Sequence, residues 1–495
     1  MSYLIKFFFC GIICSFLFPP FLLFPLGFLI FPYLFFLLKD KKIKNLNKSK
    51  QFIYGTSFGL GLNIIVLYWV KEPFAFHPAT INYSSFSFLL ILYISFYFGL
   101  LFFILSYFKN DFSKLIMIPV LFVIMEIIRE NFLFGFPWIT FSLVASSNYY
   151  ILQLAYFIGS YGLSFFLIFI FLIPSSVFLL LNNSKKFFQK IYLLTAISVF
   201  LIFSSLIFVR LNFFYDQNTK VDINLSLNQL NINQFDKSNS LLKSSRMKEI
   251  INIINYQKDT IHIFSETDYP FIIENNDMVD LLQKNLSNNN SVIIGGIRKE
   301  KNKYYNSLFF ISEDYSKFFD KKKLVPFGEF LPFRKNLNFL KFIVGNVDLE
   351  KGNTNRLIKT SYNFNFIPVI CYEIIFFNDL LSSINNKNPI LINITNDAWF
   401  GKHSGPYQHF YLSRIRSTEL NKFLIRVSNN GVSAIVDNYG KIIDHIPLNK
   451  KEMHNLRIKI PLELNNILYL HKLIYLFLII LTIAVVIIEK KTKKL

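Results

Sequence analysis

The sequence has few cysteines, few charged residues and no glycine-rich phosphate loop. Three cysteines in 495 residues exclude a disulfide scaffold. The seven histidines show no metal-ligand spacing, and no glycine pattern of the kind that cradles a phosphate occurs, so neither a metal nor a cofactor is expected. Internal repeats and long low-complexity linkers are also missing, and the composition is not that of a disordered or fibrous chain.

What the sequence has in excess is apolar surface. Hydrophobic residues make up 53% of the chain, 61 residues are phenylalanine, and the mean hydropathy is +0.40. A soluble chain of this length would form about two to four domains, and their cores could not bury so much apolar surface. The composition therefore predicts an integral membrane protein.

The formal net charge of +21 is unevenly distributed. Residues 211–465 hold 32 Lys and Arg against 25 Asp and Glu, so most of the excess lies outside that segment. There it forms short clusters beside apolar runs, an arrangement that sets membrane topology and attracts anionic lipid. No interleaved basic and aromatic groove is seen, so the expected partner is the lipid bilayer and no nucleic acid is expected.

Eight apolar stretches are each about long enough to cross a bilayer as a helix. The first is not expected to be a cleavable signal peptide, because it has no small-residue cleavage site and runs directly into the second stretch. The stretches lie near residues 3–18, 21–38, 52–70, 86–108, 115–131, 161–181, 191–209 and 468–488.

Four lysine clusters fall on one side of the membrane if the N-terminus is cytoplasmic, and the opposite short connections carry almost no positive charge. Both termini are therefore predicted to be cytoplasmic, with the large segment 211–465 outside. This gives a membrane domain with seven spans at 1–210, an extracytoplasmic domain at 211–465, and a last span with a basic tail at 466–495. The clusters are Lys39, Lys41, Lys42, Lys44, Lys48 and Lys50; Lys109 and Lys114; Lys185, Lys186 and Lys190; and Lys490, Lys491, Lys493 and Lys494.

The segment 211–465 has short β-rich runs separated by stretches compatible with helices, notably 239–257 and 404–422. Alternating strands and helices predict a layered α/β domain, and about 255 residues suffice for one domain with its own core. The runs are 221–230, 261–265, 291–297, 307–312, 365–370, 389–395, 424–428 and 433–437.

Cys371 is the only cysteine of the external segment. A lone thiol outside the cytoplasm has no disulfide partner, so its presence needs another reason. The strand 365–370 ends at Cys371 and a predicted helix follows, so the helix dipole is expected to lower the pKa of the thiol and favour the thiolate. A buried structural thiol is the alternative. Cys10 and Cys14, one turn apart in the first span, are expected to be packing residues.

Two further motifs suggest chemistry. Glu266 follows the predicted strand 261–265, where a carboxylate can act as a general base at the edge of a sheet, although a single Glu there is more often solvated. The segment 321–332 begins with three lysines, usually a surface feature, and continues into an apolar Pro/Gly turn that carries Glu329.

The order of Glu266, the Lys321 segment and the Cys371 elbow resembles the Glu–Lys–Cys triad of the nitrilase, or carbon–nitrogen hydrolase, superfamily. The fuller pattern is similar to the apolipoprotein N-acyltransferase family, and the resemblance covers nearly the whole chain. The additional matching segments are Asn396–Gly401, Gly405–Phe410, Arg426–Gly431, Glu126 with Arg129, and Phe134–Trp138.

The resemblance implies a role for each triad residue. Cys371 matches the nucleophile, Glu266 the general base, and Lys321 the group that stabilises the oxyanion. Lys321 is preferred to its two lysine neighbours because the family places this lysine eight residues before the glutamate matched by Glu329. The residues matched as supporting or substrate-binding are Glu329, Tyr372 and Glu373.

The resemblance also implies a fold and an activity. The fold is a multi-pass α-helical membrane domain of about eight spans with an extracytoplasmic nitrilase-like α-β-β-α sandwich. The activity is transfer of a fatty acyl chain from a membrane phospholipid to the α-amine of an N-terminal diacylglyceryl-cysteine, in the bacterial inner membrane. The acceptor is a diacylated apolipoprotein, and the reaction is ping-pong through a thioester on Cys371.

Several aromatic and charged residues receive provisional roles. Trp138, Trp399 and Phe400 are candidates to line an apolar mouth for acyl chains, with ordinary packing as the alternative. Glu126 and Arg129 are expected to form an ion pair that steadies an outer loop. The chain departs from the family pattern at residues 237–238, where Lys-Ser stands in place of Lys-Trp and Phe235 could supply the aromatic ring.

Three other functions compete with acyl transfer. A membrane-tethered nitrilase-superfamily amidase acting on small amides would share the triad but would admit water to the thioester. An inactive nitrilase-like domain on a scaffold or transporter is disfavoured because all three triad positions are filled and the spans carry few ionisable residues. A small-molecule binding module would not need Cys371.

Overall fold

A computed structural model describes residues 2–76, 78–182, 187–213, 220–274, 277–337, 347–360, 364–382, 390–465 and 467–494. The chain divides into two units. The first comprises Met1–Val70, Ser85–Tyr215 and Ile467–Leu495, and the second comprises Lys71–Ser84 and Asp216–Asn466. Lys185 and Lys186, part of one predicted topogenic cluster, lie outside the described residues.

The described residues of the first unit form helices and connecting turns with no strand among them, as the apolar stretches predict. Its apolar helices are joined by short connections, several of which contain a turn of 3-10 helix. The helices are Tyr3–Ser15, Gly27–Lys39, Lys41–Lys44, Lys48–Val66, Ser87–Leu105, Asp111–Asn131, Tyr149–Leu152, Leu154–Phe171, Ile173–Asn182, Phe187–Phe213, Leu468–His471 and Leu473–Lys494.

Four helices within the described residues are long and apolar enough to cross a membrane, or five if a pair bent by 51° counts as one span. The predicted count of eight is therefore not reached by length and hydropathy. Tyr3–Ser15 has only 13 residues, and Asp111–Asn131 carries five charged side chains. The four are Ser84–Leu105, Leu154–Leu181, Lys190–Phe213 and Leu468–Lys491, and the bent pair is Lys48–Val66 with Tyr68–Ala75.

The helices Tyr3–Ser15 and Lys48–Val66 pack closely through glycine. Gly11 faces the backbone carbonyl of Phe58, and Gly61 faces that of Phe8, at separations that leave no room for a Cβ atom at either glycine. Contacts between membrane helices depend on close packing, because lipid tails are as apolar as the side chains. Substituting either glycine would force these two helices apart.

Glu126 and Arg129 are both buried in the helix Asp111–Asn131. The Glu126 carboxylate accepts a hydrogen bond of 2.7 Å from the backbone N–H of Phe141, and the Arg129 guanidinium donates to the backbone carbonyl of Ile139. Two contacts to the backbone of the following segment therefore replace the expected direct ion pair. The helix is joined to this segment without exposing either charge.

The described residues of the second unit form two sheets, one of seven strands and one of six. The strands are β1 Lys220–Gln229, β2 Ile261–Ile263, β3 Ile272–Ile273, β4 Ser291–Glu300, β5 Lys303–Ile311, β6 Ser316–Asp320, β7 Ile358–Lys359, β8 Asn365–Ile370, β9 Ile390–Thr395, β10 Phe423–Ser428, β11 Ser433–Val436, β12 Ile442–Ile446 and β13 Glu452–Pro461. The first sheet has the order β13-β1-β2-β4-β5-β6 with β3 beside β4, and the second has the order β12-β11-β10-β9-β8-β7.

Parallel pairing in the middle of each sheet brings the carboxyl ends of the central strands to the same edge. In the first sheet β2 pairs in parallel with β1 and β4, and in the second β9 pairs in parallel with β8 and β10. Polar residues that follow these strands are therefore neighbours in space. Such an edge is where ligands commonly bind in layered α/β folds.

Helices cover the outer faces of the two sheets. The helix Lys243–Ile254 packs on the first sheet through Ile250 and Ile254, and Ser404–Glu419 lies beside β10, where the Ser413 hydroxyl is 3.1 Å from the Arg426 guanidinium. The sheets face each other, with the rings of Phe310 on β5 and Phe366 on β8 6.1 Å apart. This layered α/β architecture confirms the predicted fold class of the domain. The other α-helices that the structure describes in this unit are Pro78–Ile81, Gln234–Ser238, Asp277–Asn285, Arg334–Leu337 and Phe377–Leu381.

His262 on β2 is buried in the first sheet, and neither ring nitrogen has a hydrogen-bond partner among the described residues. Burial lowers its pKa to about 4 from an ordinary 6.5. At a pH between these two pKa values, His262 binds a proton in the unfolded chain but not in the folded chain. The free energy of unfolding therefore falls as the pH falls, by up to about 3 kcal/mol.

We expect the midpoint temperature of unfolding of the detergent-solubilised protein to fall as the pH is lowered from about 6.5 to about 4. The variant His262→Gln should lose that part of the dependence, since glutamine does not titrate. Identical pH profiles for the two proteins would show that His262 makes no contribution.

Candidate active site

Three buried side chains from three strand ends meet in the second unit. Glu266 lies three residues after the end of β2, Lys321 directly after β6, and Cys371 directly after β8. Gly295 on β4 allows the Glu266 segment to approach, since a Cβ there would lie 2.7 Å from the Cα of Glu266. The fold therefore brings together the three residues that the sequence pattern assigned to a triad.

Glu266 accepts hydrogen bonds at both carboxylate oxygens. Oε1 accepts from the Asn306 amide at 2.7 Å and lies 3.2 Å from the Lys321 ammonium. Oε2 accepts from the backbone N–H of Asn396 at 3.0 Å. Because Asn396 follows β9, this bond joins the Glu266 carboxylate on the first sheet to the second sheet, which carries the Cys371 thiol.

Lys321 lies between two carboxylates. Its ammonium is 3.2 Å from Glu266 and 2.9 Å from Glu329, and the side chain is almost completely buried. Burial opposes the charge, but the two carboxylates outweigh it and raise the pKa of Lys321 well above its ordinary value. Lys321 is therefore a permanent cation, and it uses two of its three N–H donors on these carboxylates.

The structure corrects the expected state of the Cys371 thiol. Cys371 begins a 3-10 helix of five residues, which is too short to supply a strong helix dipole. Burial and the neighbouring Glu266 carboxylate raise the pKa of the thiol above its ordinary value, and Lys321 offsets this only in part. The resting thiol is therefore neutral, and a nucleophilic sulfur requires proton transfer to a nearby base.

Residues 10–173 match the family model described as the apolipoprotein N-acyltransferase N-terminal domain, and residues 251–461 match carbon-nitrogen hydrolase. The apolipoprotein N-acyltransferase of Rickettsia typhi is 31% identical over 462 residues, covering 90% of this chain and 89% of that protein. The chain belongs to the apolipoprotein N-acyltransferase family. The apolipoprotein N-acyltransferase of Wigglesworthia glossinidia brevipalpis is 31% identical over 428 residues, covering 82% of each chain. The family predicted from the motifs is thus confirmed.

In this member of the apolipoprotein N-acyltransferase family, Glu373 holds the backbone on either side of Cys371 in place. The Glu373 carboxylate is completely buried, pairs with the Arg356 guanidinium at 2.8 and 2.9 Å, and accepts from the backbone N–H groups of Ile370 and Lys322. Burial disfavours the charge, but Arg356 and these donors lower the pKa of Glu373 below its ordinary value. One carboxylate therefore connects the strand before Cys371 with the segment after Lys321.

Replacing Glu373 by Gln should lower the free energy of unfolding by about 3 kcal/mol, because it leaves the buried Arg356 charge without its main partner. Glu274→Gln is a matched control: Glu274 pairs with Lys299 at 2.6 Å, but its side chain is 60% exposed, and such pairs contribute little. Chemical unfolding of both variants checks this. If Glu373→Gln and Glu274→Gln had equal free energies of unfolding, Glu373 would not hold the backbone around Cys371 in place.

The other residues that the sequence predicts to support the site or bind substrate differ in their position and burial. Glu329 and Tyr372 adjoin the triad, and the buried Tyr372 ring lies perpendicular to that of Phe376 at 5.1 Å. Trp399 is 38% exposed, while Phe400 is buried against His409 with ring centroids 5.2 Å apart.

Trp138 belongs to the first unit, where it is fully buried with its ring centroid 4.5 Å from that of Trp69. The role of these aromatic residues in lining an acyl-chain path stays a prediction.

Sequence reasoning missed two residues that bind Glu266. The Asn306 amide lies between Glu266 and Glu329, at 2.7 and 2.8 Å, but it comes from the middle of β5, where no motif marks it. The Lys237 ammonium donates to the Glu266 backbone carbonyl and to Asp268, both at 2.9 Å. Lys237 matches the lysine of the family's Lys-Trp pair, and the departure lies at the next residue, Ser238, so the matching lysine was the available signal.

Proposed function

We propose that this protein transfers a fatty acyl chain from a membrane phospholipid to the α-amine of the N-terminal diacylglyceryl-cysteine of apolipoproteins. The observation that carries the proposal is the grouping of a buried thiol, a carboxylate and a cation that follow strands of two facing sheets. Glu266 and Lys321 are 3.2 Å apart, and both act electrostatically on Cys371. Family membership supports this substrate pair, since the curated relatives carry the name apolipoprotein N-acyltransferase.

The first half-reaction forms a thioester. Glu266 takes the thiol proton as the sulfur of Cys371 attacks the ester carbonyl carbon of the phospholipid. The remaining N–H of Lys321 donates to the oxyanion of the tetrahedral intermediate, a contribution of about 3–4 kcal/mol for one such donor. The carbon–oxygen bond then breaks, the glycerol oxygen receives the proton from Glu266, and lysophospholipid leaves.

The second half-reaction moves the acyl chain to nitrogen. The α-amine of the diacylated lipoprotein attacks the thioester carbonyl and gives a proton to Glu266. The carbon–sulfur bond breaks, an amide forms, and Cys371 recovers its proton from Glu266. Two substrates thus use one set of groups in turn, which is the ping-pong scheme of covalent catalysis.

The proposed topology places this chemistry at the outer leaflet. All eight apolar stretches enter the membrane. Where a stretch is short, the bilayer becomes locally thinner or flanking residues complete the span. Both termini are cytoplasmic, and residues 211–465 face the periplasm above the inner membrane, with 1–210 and 466–495 as the membrane parts. The distribution of lysines supports this orientation. Reporter fusions at the C-terminus and within residues 211–465 test it.

Intact-protein mass spectrometry tests the proposed reaction. Purified protein incubated with phospholipid should gain the mass of one acyl chain, release lysophospholipid, and lose the added mass with hydroxylamine. Peptide mapping should place the acyl group on Cys371, and a diacylated lipopeptide should remove it faster than water does. Removal by water alone would contradict acyl transfer, because the protein would then only hydrolyse phospholipid. Folded protein that forms neither adduct nor lysophospholipid would rule out a phospholipid donor and favour the tethered amidase or an inactive domain.

A further inference from the structure

A cluster of buried polar side chains lies behind the thiol and has no part in the mechanism so far. Arg426, Asp397, His409 and Thr395 are all fully buried. One Asp397 oxygen accepts from the Arg426 guanidinium at 2.7 Å. The other oxygen accepts from the Thr395 hydroxyl at 3.0 Å and lies 2.8 Å from Nδ1 of His409.

Asp397 is the fixed charge of this cluster. Burial disfavours ionisation, but Arg426 and His409 outweigh it and hold the pKa of Asp397 well below its ordinary value. Gly431 leaves room for the carboxylate, because a Cβ at that position would overlap Asp397. The carboxylate therefore stays charged when Thr395 no longer donates to it, because Arg426 remains its partner.

Strand register places Thr395 beside the nucleophile. Strands β8 and β9 are parallel, with Ile370 opposite Ile394. Cys371 follows Ile370 and Thr395 follows Ile394, so the two residues stand side by side at the sheet edge. The Thr395 hydroxyl donates to Asp397 at 3.0 Å, and its side chain also lowers the pKa of the neighbouring Cys371 thiol.

A threonine hydroxyl has one hydrogen to donate. At rest that hydrogen points to Asp397. When Cys371 gives its proton to Glu266, the sulfur becomes anionic and a stronger acceptor, while Asp397 keeps Arg426 and His409 as partners. Rotation of the hydroxyl then supplies a donor to the sulfur without leaving a buried charge uncompensated.

We propose that Thr395 is a further residue of the catalytic machinery, donating a hydrogen bond to the sulfur of Cys371 as the thiolate forms, with Asp397 as the positioning residue that orients the hydroxyl at rest. The inference rests on the proposed role of Cys371 as the nucleophile. Thr395 itself neither gains nor loses a proton, since the thiol proton goes to Glu266.

The test measures the alkylation of Cys371 by iodoacetamide as a function of pH, read at the peptide level in the full-length protein in detergent. Thr395→Val keeps the shape of the side chain and removes the hydroxyl. We expect alkylation to slow about tenfold at neutral pH and the apparent pKa of the thiol to rise by about one unit. Thr395→Ser restores the donor and should stay within about twofold of the unchanged protein.

Thr260→Val is the matched control, because Thr260 is also buried and its hydroxyl donates to the Lys258 carbonyl at 2.9 Å, at the other end of β2 from Glu266. The inference is overturned if Thr395→Val gives the alkylation profile of the unchanged protein. It is equally overturned if Thr395→Ser or Thr260→Val slows alkylation as much as Thr395→Val does. Alkylation needs no lipid, so these outcomes leave the proposed acyl transfer to be decided by its own adduct experiment.

Discussion

Changing Cys371 to serine is expected to reduce acyl transfer at least about a thousandfold. Serine has nearly the shape of cysteine and meets the same backbone conformation, a φ of +49°, so the elbow should keep its fold. Its hydroxyl is a far weaker acid than the thiol, and Glu266 is a carboxylate base poorly matched to deprotonating an alcohol. The loss should appear both in acyl-enzyme formation and in transfer to a diacylated lipopeptide.

Cys10→Ser is the matched control. Cys10 is buried in the helix Tyr3–Ser15 of the first unit, and its replacement should change transfer by no more than about twofold, because a hydroxyl inside a helix can bond to the preceding turn. Thermal unfolding of both variants verifies that they are folded. If Cys371→Ser kept a tenth or more of the activity, Cys371 would not be the nucleophile.

The positions of the triad residues were predictable because they depend on local pattern. Apolar runs end shortly before Glu266 and Cys371, and polar residues at the carboxyl ends of parallel strands commonly form the site in such folds. The two residues follow strands of different sheets, and the hydrogen bond from Asn396 to Glu266 joins these sheets. The protonation state of Cys371 was not predictable, and the expectation from the helix dipole was wrong. Burial by distant segments dominates that pKa, and whether the residues after a strand form an α-helix or a short 3-10 turn depends on packing.

Long-range pairing accounts for the rest of what the sequence did not reveal. Strand β13 alternates exposed and buried residues and reads as a polar segment, yet it pairs along its whole length with β1, more than two hundred residues earlier. Asn306 and Arg356 reach the site from positions that carry no motif. Membrane spans are also difficult to identify from length and hydropathy where an apolar helix is short or carries charged side chains, as Asp111–Asn131 does.

Replacing Glu266 by Gln should move two measurable rates in opposite directions. Acyl-enzyme formation should fall by about a hundredfold to ten-thousandfold, since the general base is lost. Alkylation of Cys371 by iodoacetamide should become faster at neutral pH, because the Glu266 carboxylate raises the pKa of the thiol and Lys321 lowers it. Removing the negative neighbour leaves the positive one, so the thiolate fraction rises while catalysis fails.

Glu329→Gln separates this effect from a general disturbance of Lys321. Both carboxylates contact the same ammonium, at 3.2 and 2.9 Å, but only Glu266 also bonds to Asn396 and adds to the thiol's electrostatic environment. Glu329→Gln should therefore slow acylation by about tenfold, through looser positioning of Lys321, with little change in alkylation. The contrary result is that both variants slow acylation equally and leave alkylation unchanged. The two glutamates would then only hold Lys321 in place, and another residue near Cys371 would have to be the base.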